Sequence, residues 1–264
     1  MNVFRHELRQ RFKSILVWLA VMAVFIAAAM VKYDTFRGGG KVVNELLNSF
    51  PSTLKAVFGM SGLNLTSISG YTGVTYIFIA VMAAIFAGML GSNAVAREET
   101  GRTVEFLYPK PVSRWTVLAQ KLLVVGIGIA AMTVTIYATL LVVTAPYNID
   151  STTHAALVNF SLAALYIMLL SGGLGLMFAA VSRRSARGAT LLAIVIMASY
   201  FVFALSKMST DFEWLALASM FSWFDAVEII KQASLPVTQT IVSIALSTVS
   251  VAIAFIALHH RDMC

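Results

Sequence analysis

Three groups of residues in this chain of 264 have types and spacings that could do chemistry. Glu98, Glu99 and Arg102 approach a Glu-Glu-x-x-x-Arg constellation, in which a carboxylate could act as general base inside a membrane-embedded hydrolase. The arginine arrives one residue early, and the histidines such chemistry needs within apolar segments are absent from them. His6, His259 and His260 lie near the chain ends and His154 borders a loop. Gly38, Gly39 and Gly40 followed by Lys41 offer the elements of a phosphate-binding loop, but that motif reads Gly-x-x-x-x-Gly-Lys-Ser/Thr and Val42 stands where the hydroxyl belongs. Cys264 is the sole cysteine, which excludes an internal disulfide and a cysteine-rich metal site. The sequence therefore predicts no catalytic residue, no metal site and no cofactor bound by this chain. Glu98 and Glu99 read as a solvated face paired with Arg97 or Arg102.

The elements that must carry these residues are set by hydropathy. Apolar residues make up 59% of the chain and charged ones 12%, against about 45–50% and about 25% in a soluble domain. The charges sit in clusters between long uncharged stretches. Lys13 and Lys32 bracket 18 uncharged residues, a helix of about 27 Å against a hydrocarbon core of ~30 Å. Because a charge at a helix centre costs roughly 2.5–3.5 kcal/mol on insertion scales, charge-free windows of this length read as spans. The expected fold is all-α, a polytopic membrane protein with six transmembrane helices in one domain. Spans are expected at about 14–31, 71–96, 117–145, 155–182, 188–206 and 236–258. An N-terminal apolar core of this length exceeds that of a signal peptide, about 7–15 residues, so cleavage is not expected.

Lysine and arginine collect on cytoplasmic loops. Residues 1–13, 97–121, 183–187 and 259–264 hold 13 of the 19 basic residues. Both termini are therefore expected in the cytoplasm, with loops 32–70 and 207–235 outside. The net charge of +7 follows this topology and has no aromatic-basic surface around it, so nucleic acid is not an expected partner. Phe4, Leu8, Phe12 and Ile15 recur at helical spacing beside a stripe of Arg5, Arg9 and Lys13, which predicts an interfacial helix before the first span. Trp214, Leu217, Phe221 and Phe224 fall three or four residues apart in the last outer loop, and should lie at the interface or dip into it. In the fourth span Gly172, Gly173 and Gly175, beside Ser171, remove side-chain bulk and admit a close helix neighbour or a flexing point for gating.

The loop at 97–116 combines a possible helix end at Gly101 with Pro109 and Pro111, which bar continuation, leaving a short helical piece at about 102–108. Val104, Leu107 and Tyr108 share one of its faces, and Glu105 is offset toward another. Ser113 can cap the third span, with Trp115 at headgroup level. An apolar face beyond the lipid implies a protein partner.

With Thr103, Glu105, Leu107, Pro111, Val112, Ser113, Arg114 and Lys121, this loop resembles the first cytoplasmic loop of type-2 ABC transporter permeases. Arg102 intervenes where that family sets glycine directly before the threonine. The N-terminal helix is similar to the family's elbow helix, and Phe221-Ser-Trp-Phe-Asp225 to its segment between spans five and six, with Met220 in place of an expected proline. The resemblance implies that the loop is a coupling helix docking into a separate ABC ATPase, which would hold ATP and magnesium. Thr103, Val104, Glu105, Leu107, Tyr108, Pro111 and Arg114 would make that contact, bordered by Arg183, Arg184 and Arg187. It also implies a second permease chain, as homodimer or paralogue, and export of an apolar or amphipathic cargo such as a drug, a peptide antibiotic or a lipid across the inner membrane of a prokaryote. The alternatives are an ion-coupled secondary transporter and, more remotely, an intramembrane protease. Both need ionisable groups within the bundle, where the uncharged stretches supply none.

Overall fold

The computed structural model describes residues 3–100, 114–182 and 185–259, and among these residues there is no strand. α1 (Val3–Val31) contains neither glycine nor proline, so nothing breaks its hydrogen-bond ladder between the basic first turns and the apolar stretch. The N-terminal helix is thus present as the beginning of the first span itself, a continuous rod of about 43 Å. α2 (Tyr33–Ser49) and α3 (Ser52–Val57) occupy much of the segment 32–70. Gly40 breaks α2 with φ 42° and ψ −117°, a conformation that a Cβ would strain. Among the described residues six helices are long and apolar enough to cross a membrane. They are α1, α4 (Ile68–Thr100), α5 (Arg114–Thr144), α6 (Ser151–Val181), α7 (Ser185–Ser206) and α9 (Val237–His259). Asp150 opens α6 as its N-cap. Hydrogen bonds from the Thr152 hydroxyl and the Thr153 N–H hold its carboxyl well below the usual carboxylate range, at about 2.

α4 and α6 are the most enclosed helices and form the axis of the bundle. α1 packs on α5 and α4, α7 on α6 and α4, and α9 on α6. The axis is closed by backbone against backbone. A Cβ on Gly91 would lie 2.1 Å from the carbonyl oxygen of Gly172, and one on Gly175 would lie 2.3 Å from that of Gly88. Gly173 faces the other way, where a Cβ would sit 3.1 Å from the Ser247 carbonyl of α9. Next to this contact the Ser243 and Ser247 hydroxyls donate to the Tyr166 and Leu169 carbonyls, tying α9 to α6. Further along the axis Tyr76 stacks on Phe160 with centroids 4.8 Å apart.

A methyl group tests this closure. Gly91→Ala should destabilise the chain by roughly 1–3 kcal/mol or more, because a carbonyl oxygen on a packed helix cannot yield as a side chain can. Gly126→Ala, on α5 where a Cβ meets nothing within 4 Å, should be neutral or slightly stabilising. Thermal unfolding of the two variants in detergent checks the contrast, and equal midpoints would mean that the axis is not packed this way.

At the end remote from the N-terminus, Tyr33 lies 5.3 Å from the Tyr71 ring and 5.0 Å from Tyr147, centroid to centroid. The Tyr147 hydroxyl donates to Asp34 at 3.0 Å, and the Arg37 guanidinium lies over the Tyr147 ring. This cluster fastens the start of α2 to α4 and to the 3-10 turn Ala145–Tyr147 that follows α5. After α7 the chain makes a 3-10 run (Thr210–Ala218), turns at Ser219, and continues through a short 3-10 turn (Ser222–Phe224) into α8 (Ala226–Gln232). The Ser219 hydroxyl donates to the Ser199 carbonyl on α7 and accepts from the N–H groups of Phe221 and Ser222. The turn separates the four residues spaced as one aromatic stripe. Trp214 and Leu217 are 69% and 79% exposed, whereas Phe221 and Phe224 are 1% exposed inside the bundle.

Candidate functional site

The site is built where α1 meets the ends of α4 and α5. Buried positions on α1 recur at Arg11, Ile15, Met22, Ile26 and Met30, the three-and-four spacing of a packed helix stripe, with an arginine in its first place. Arg11 is 3% exposed. Its Nε donates to Glu7 Oε2 at 3.1 Å, one turn earlier on the same helix. Its Nη1 and Nη2 donate to the carbonyls of Leu90 and Asn93 on α4, at 2.9 and 3.0 Å. From α5, Lys121, also 3% exposed, donates to the Ala94 carbonyl at 2.8 Å and lies 3.7 Å from Glu7 Oε1. The first turn of α1 joins the same arrangement, its orphan Phe4 N–H donating to Gln120 Oε1 at 2.8 Å.

Buried charge is tolerated only where the partners compensate for lost hydration. Among the described residues the Glu7 carboxylate lies between the two cations, which reach the carbonyls of residues 90, 93 and 94 on one face of α4. Arginine suits the position because its planar fork reaches two acceptors and a carboxylate together. Electrostatically, α1, α4 and α5 are joined at this end as one body. The knot lies about 9 Å along α4 from its end at Thr100 and about 10 Å along α5 from its start at Arg114. Both flanks of the segment 101–113 are thereby anchored to the N-terminal helix.

Of the residues expected to contact a partner, Thr103, Val104, Glu105, Leu107, Tyr108 and Pro111 lie outside the described residues, as do Arg183, Arg184 and the capping Ser113. Arg114 opens α5, and Arg187 is exposed in the first turn of α7. Gly172 and Gly175 face α4 and Gly173 faces α9. Glu7 and Arg11 were not among the expected site residues. Their signal was present as an acid and a base four apart on a helix, with Arg11 in register with Ile15 rather than with the stripe of Arg5, Arg9 and Lys13. The expectation that ionisable groups stay out of the bundle is corrected at this end. Glu7, Arg11 and Lys121 are enclosed, and their mutual pairing and the carbonyls of α4 make that possible.

Among the described residues no three His, Cys, Asp or Glu side chains gather into a set able to hold a metal ion. Of the histidines, His6 meets Gln10 and His154 meets Tyr137. Among curated proteins none matches the chain. The family described as ABC-2 family transporter protein matches residues 1–263.

Proposed function

The chain belongs to the ABC-2 transporter family, a family of membrane permeases that work with an ABC ATPase subunit, and on that footing we propose that it is the membrane half of an ATP-driven exporter. The end of the bundle carrying the knot faces the cytoplasm. The segment 101–113 docks there on the ATPase, which holds ATP and magnesium, through Leu107 and Tyr108 with Glu105 at the edge. Two permease chains make one pathway and move an apolar or amphipathic cargo by alternating access in a prokaryotic inner membrane.

The observation that carries this reading is the attachment of both flanks of the docking segment to α1 through Arg11 and Lys121. A force applied to that segment enters α1, α4 and α5 together, whereas a free loop would flex and dissipate it. The concentration of basic residues on the loops at this end supports the orientation.

Orientation is tested by thiol labelling of intact cells, in a background lacking Cys264. A cysteine at Gly39 or at Ser151 should react with an impermeant thiol reagent, and one at Lys110 should not. Labelling at Lys110 alone, or at all three positions, contradicts the assignment and with it the docking of a cytoplasmic ATPase at this end.

A further inference from the structure

At the opposite end of the bundle from the knot, the end of α7 and the 3-10 run Thr210–Ala218 enclose a cleft of about 520 Å³, within the ordinary size range of small-ligand sites, about 300–1,000 Å³. Its lining includes Lys207, Ser209, Glu213 and Ser222. Lys207 is neutralised by Asp225, whose other oxygen accepts the Val227 N–H at the start of α8. Among the described residues two polar groups on the walls have no protein partner. The Ser222 hydroxyl oxygen is buried with no hydrogen bond, and among the described residues Glu213 makes neither an ion pair nor a side-chain hydrogen bond. With Lys207 balanced by Asp225, the remaining charge on the lining is the carboxylate of Glu213.

A buried hydroxyl without a partner is costly unless a ligand or water completes it. A free carboxylate on the lining of the same cleft selects a cation, and one that donates hydrogen bonds gains charge-assisted contacts that a quaternary cation cannot make. On the same 3-10 run Phe212, Trp214 and Leu217 project exposed apolar surface, suited to the boundary between headgroups and acyl chains. We infer that this cleft binds the primary ammonium group of an amphipathic molecule, Glu213 and Ser222 taking the ammonium while the exposed apolar side chains of the same 3-10 run take the chain. The inference does not depend on the exporter reading, since it concerns equilibrium binding to the purified chain.

The test is a titration of the purified chain in maltoside micelles with dodecylammonium, followed by tryptophan fluorescence. Binding should saturate and weaken at least about tenfold in Glu213→Gln. That substitution is at an exposed position and preserves shape, so the fold should survive. Ser222→Ala should weaken binding by a smaller factor, and dodecyltrimethylammonium, with the same charge but no N–H, should bind several-fold less tightly than dodecylammonium. Repeating the titration in phosphatidylcholine vesicles with and without phosphatidylethanolamine identifies the natural source. Competition points to the lipid headgroup, and its absence points to a free amine, either result keeping the ammonium chemistry. Unchanged affinity in Glu213→Gln, or equal affinity for the quaternary amphiphile, overturns the inference.

Discussion

Arg11→Met should destabilise the chain by roughly 3–5 kcal/mol, the usual cost of removing one member of a buried charge pair. The substitution keeps most of the side-chain volume, so the loss is electrostatic. Among the described residues Glu7 would retain Lys121, 3.7 Å away, and the Leu90 and Asn93 carbonyls would lose their link to α1. Arg11→Lys should fall between, because one ammonium cannot reach both carbonyls and Glu7 in the geometry of the guanidinium fork. In the double variant Glu7→Gln/Arg11→Met the loss should be less than the sum of those of the separate substitutions, because the Glu7 carboxylate is no longer there to be left poorly paired. Thermal unfolding in detergent measures these three variants and Glu7→Gln alone. A cost within 1 kcal/mol for Arg11→Met would mean that the group is solvated and joins nothing.

The second large effect concerns Leu107→Asp. Under the proposed function its apolar side chain enters the ATPase cleft with those of Val104 and Tyr108. Burying an unpaired carboxylate in an apolar contact costs several kcal/mol, and each 1.4 kcal/mol is tenfold in affinity, so the complex should loosen by at least about a hundredfold. The six spans should still insert, because under that proposal position 107 stands in the cytoplasm and takes no part in spanning. Two readouts must therefore separate. Membrane-inserted protein should stay near the wild-type amount, while ATPase co-purification and cargo export are both lost. Normal export would show that this face does not dock, and loss of the protein from the membrane would mean that Leu107 packs against the permease.

How much of this was legible in the sequence differs by element. The apolar windows announced themselves because lipid tolerates so few charges, and among the described residues six helices are long and apolar enough to cross a membrane. The glycines at 172, 173 and 175 were readable as missing bulk, but their partners Gly88 and Gly91 were not. A small residue in one helix does not say which other helix approaches it. The aromatic spacing from Trp214 to Phe224 misled because helical periodicity assumes an unbroken helix, and Ser219 turns the chain between the two pairs. Methionine at 220, where the resemblance leads one to expect proline, has a physical reason that no spacing reveals. Its N–H donates to the Ser199 hydroxyl at 3.0 Å, a bond proline cannot make. The knot was hidden for a similar cause. Arg11 counts toward topology like any basic residue near the N-terminus until three-dimensional packing brings Leu90, Asn93 and Lys121 beside it.

Under the proposed function this chain moves cargo only when a separate ATPase drives it. The most direct measurement reconstitutes the purified chain in vesicles, alone and with its co-purifying ATPase, and follows ATP hydrolysis and cargo movement together. Alone, the chain should hydrolyse no ATP and move no cargo under an imposed proton or sodium gradient, whereas with the ATPase both activities should appear and each should change when the other chain is altered. Cargo movement by the lone chain under an ion gradient would contradict the account and establish an ion-coupled transporter instead.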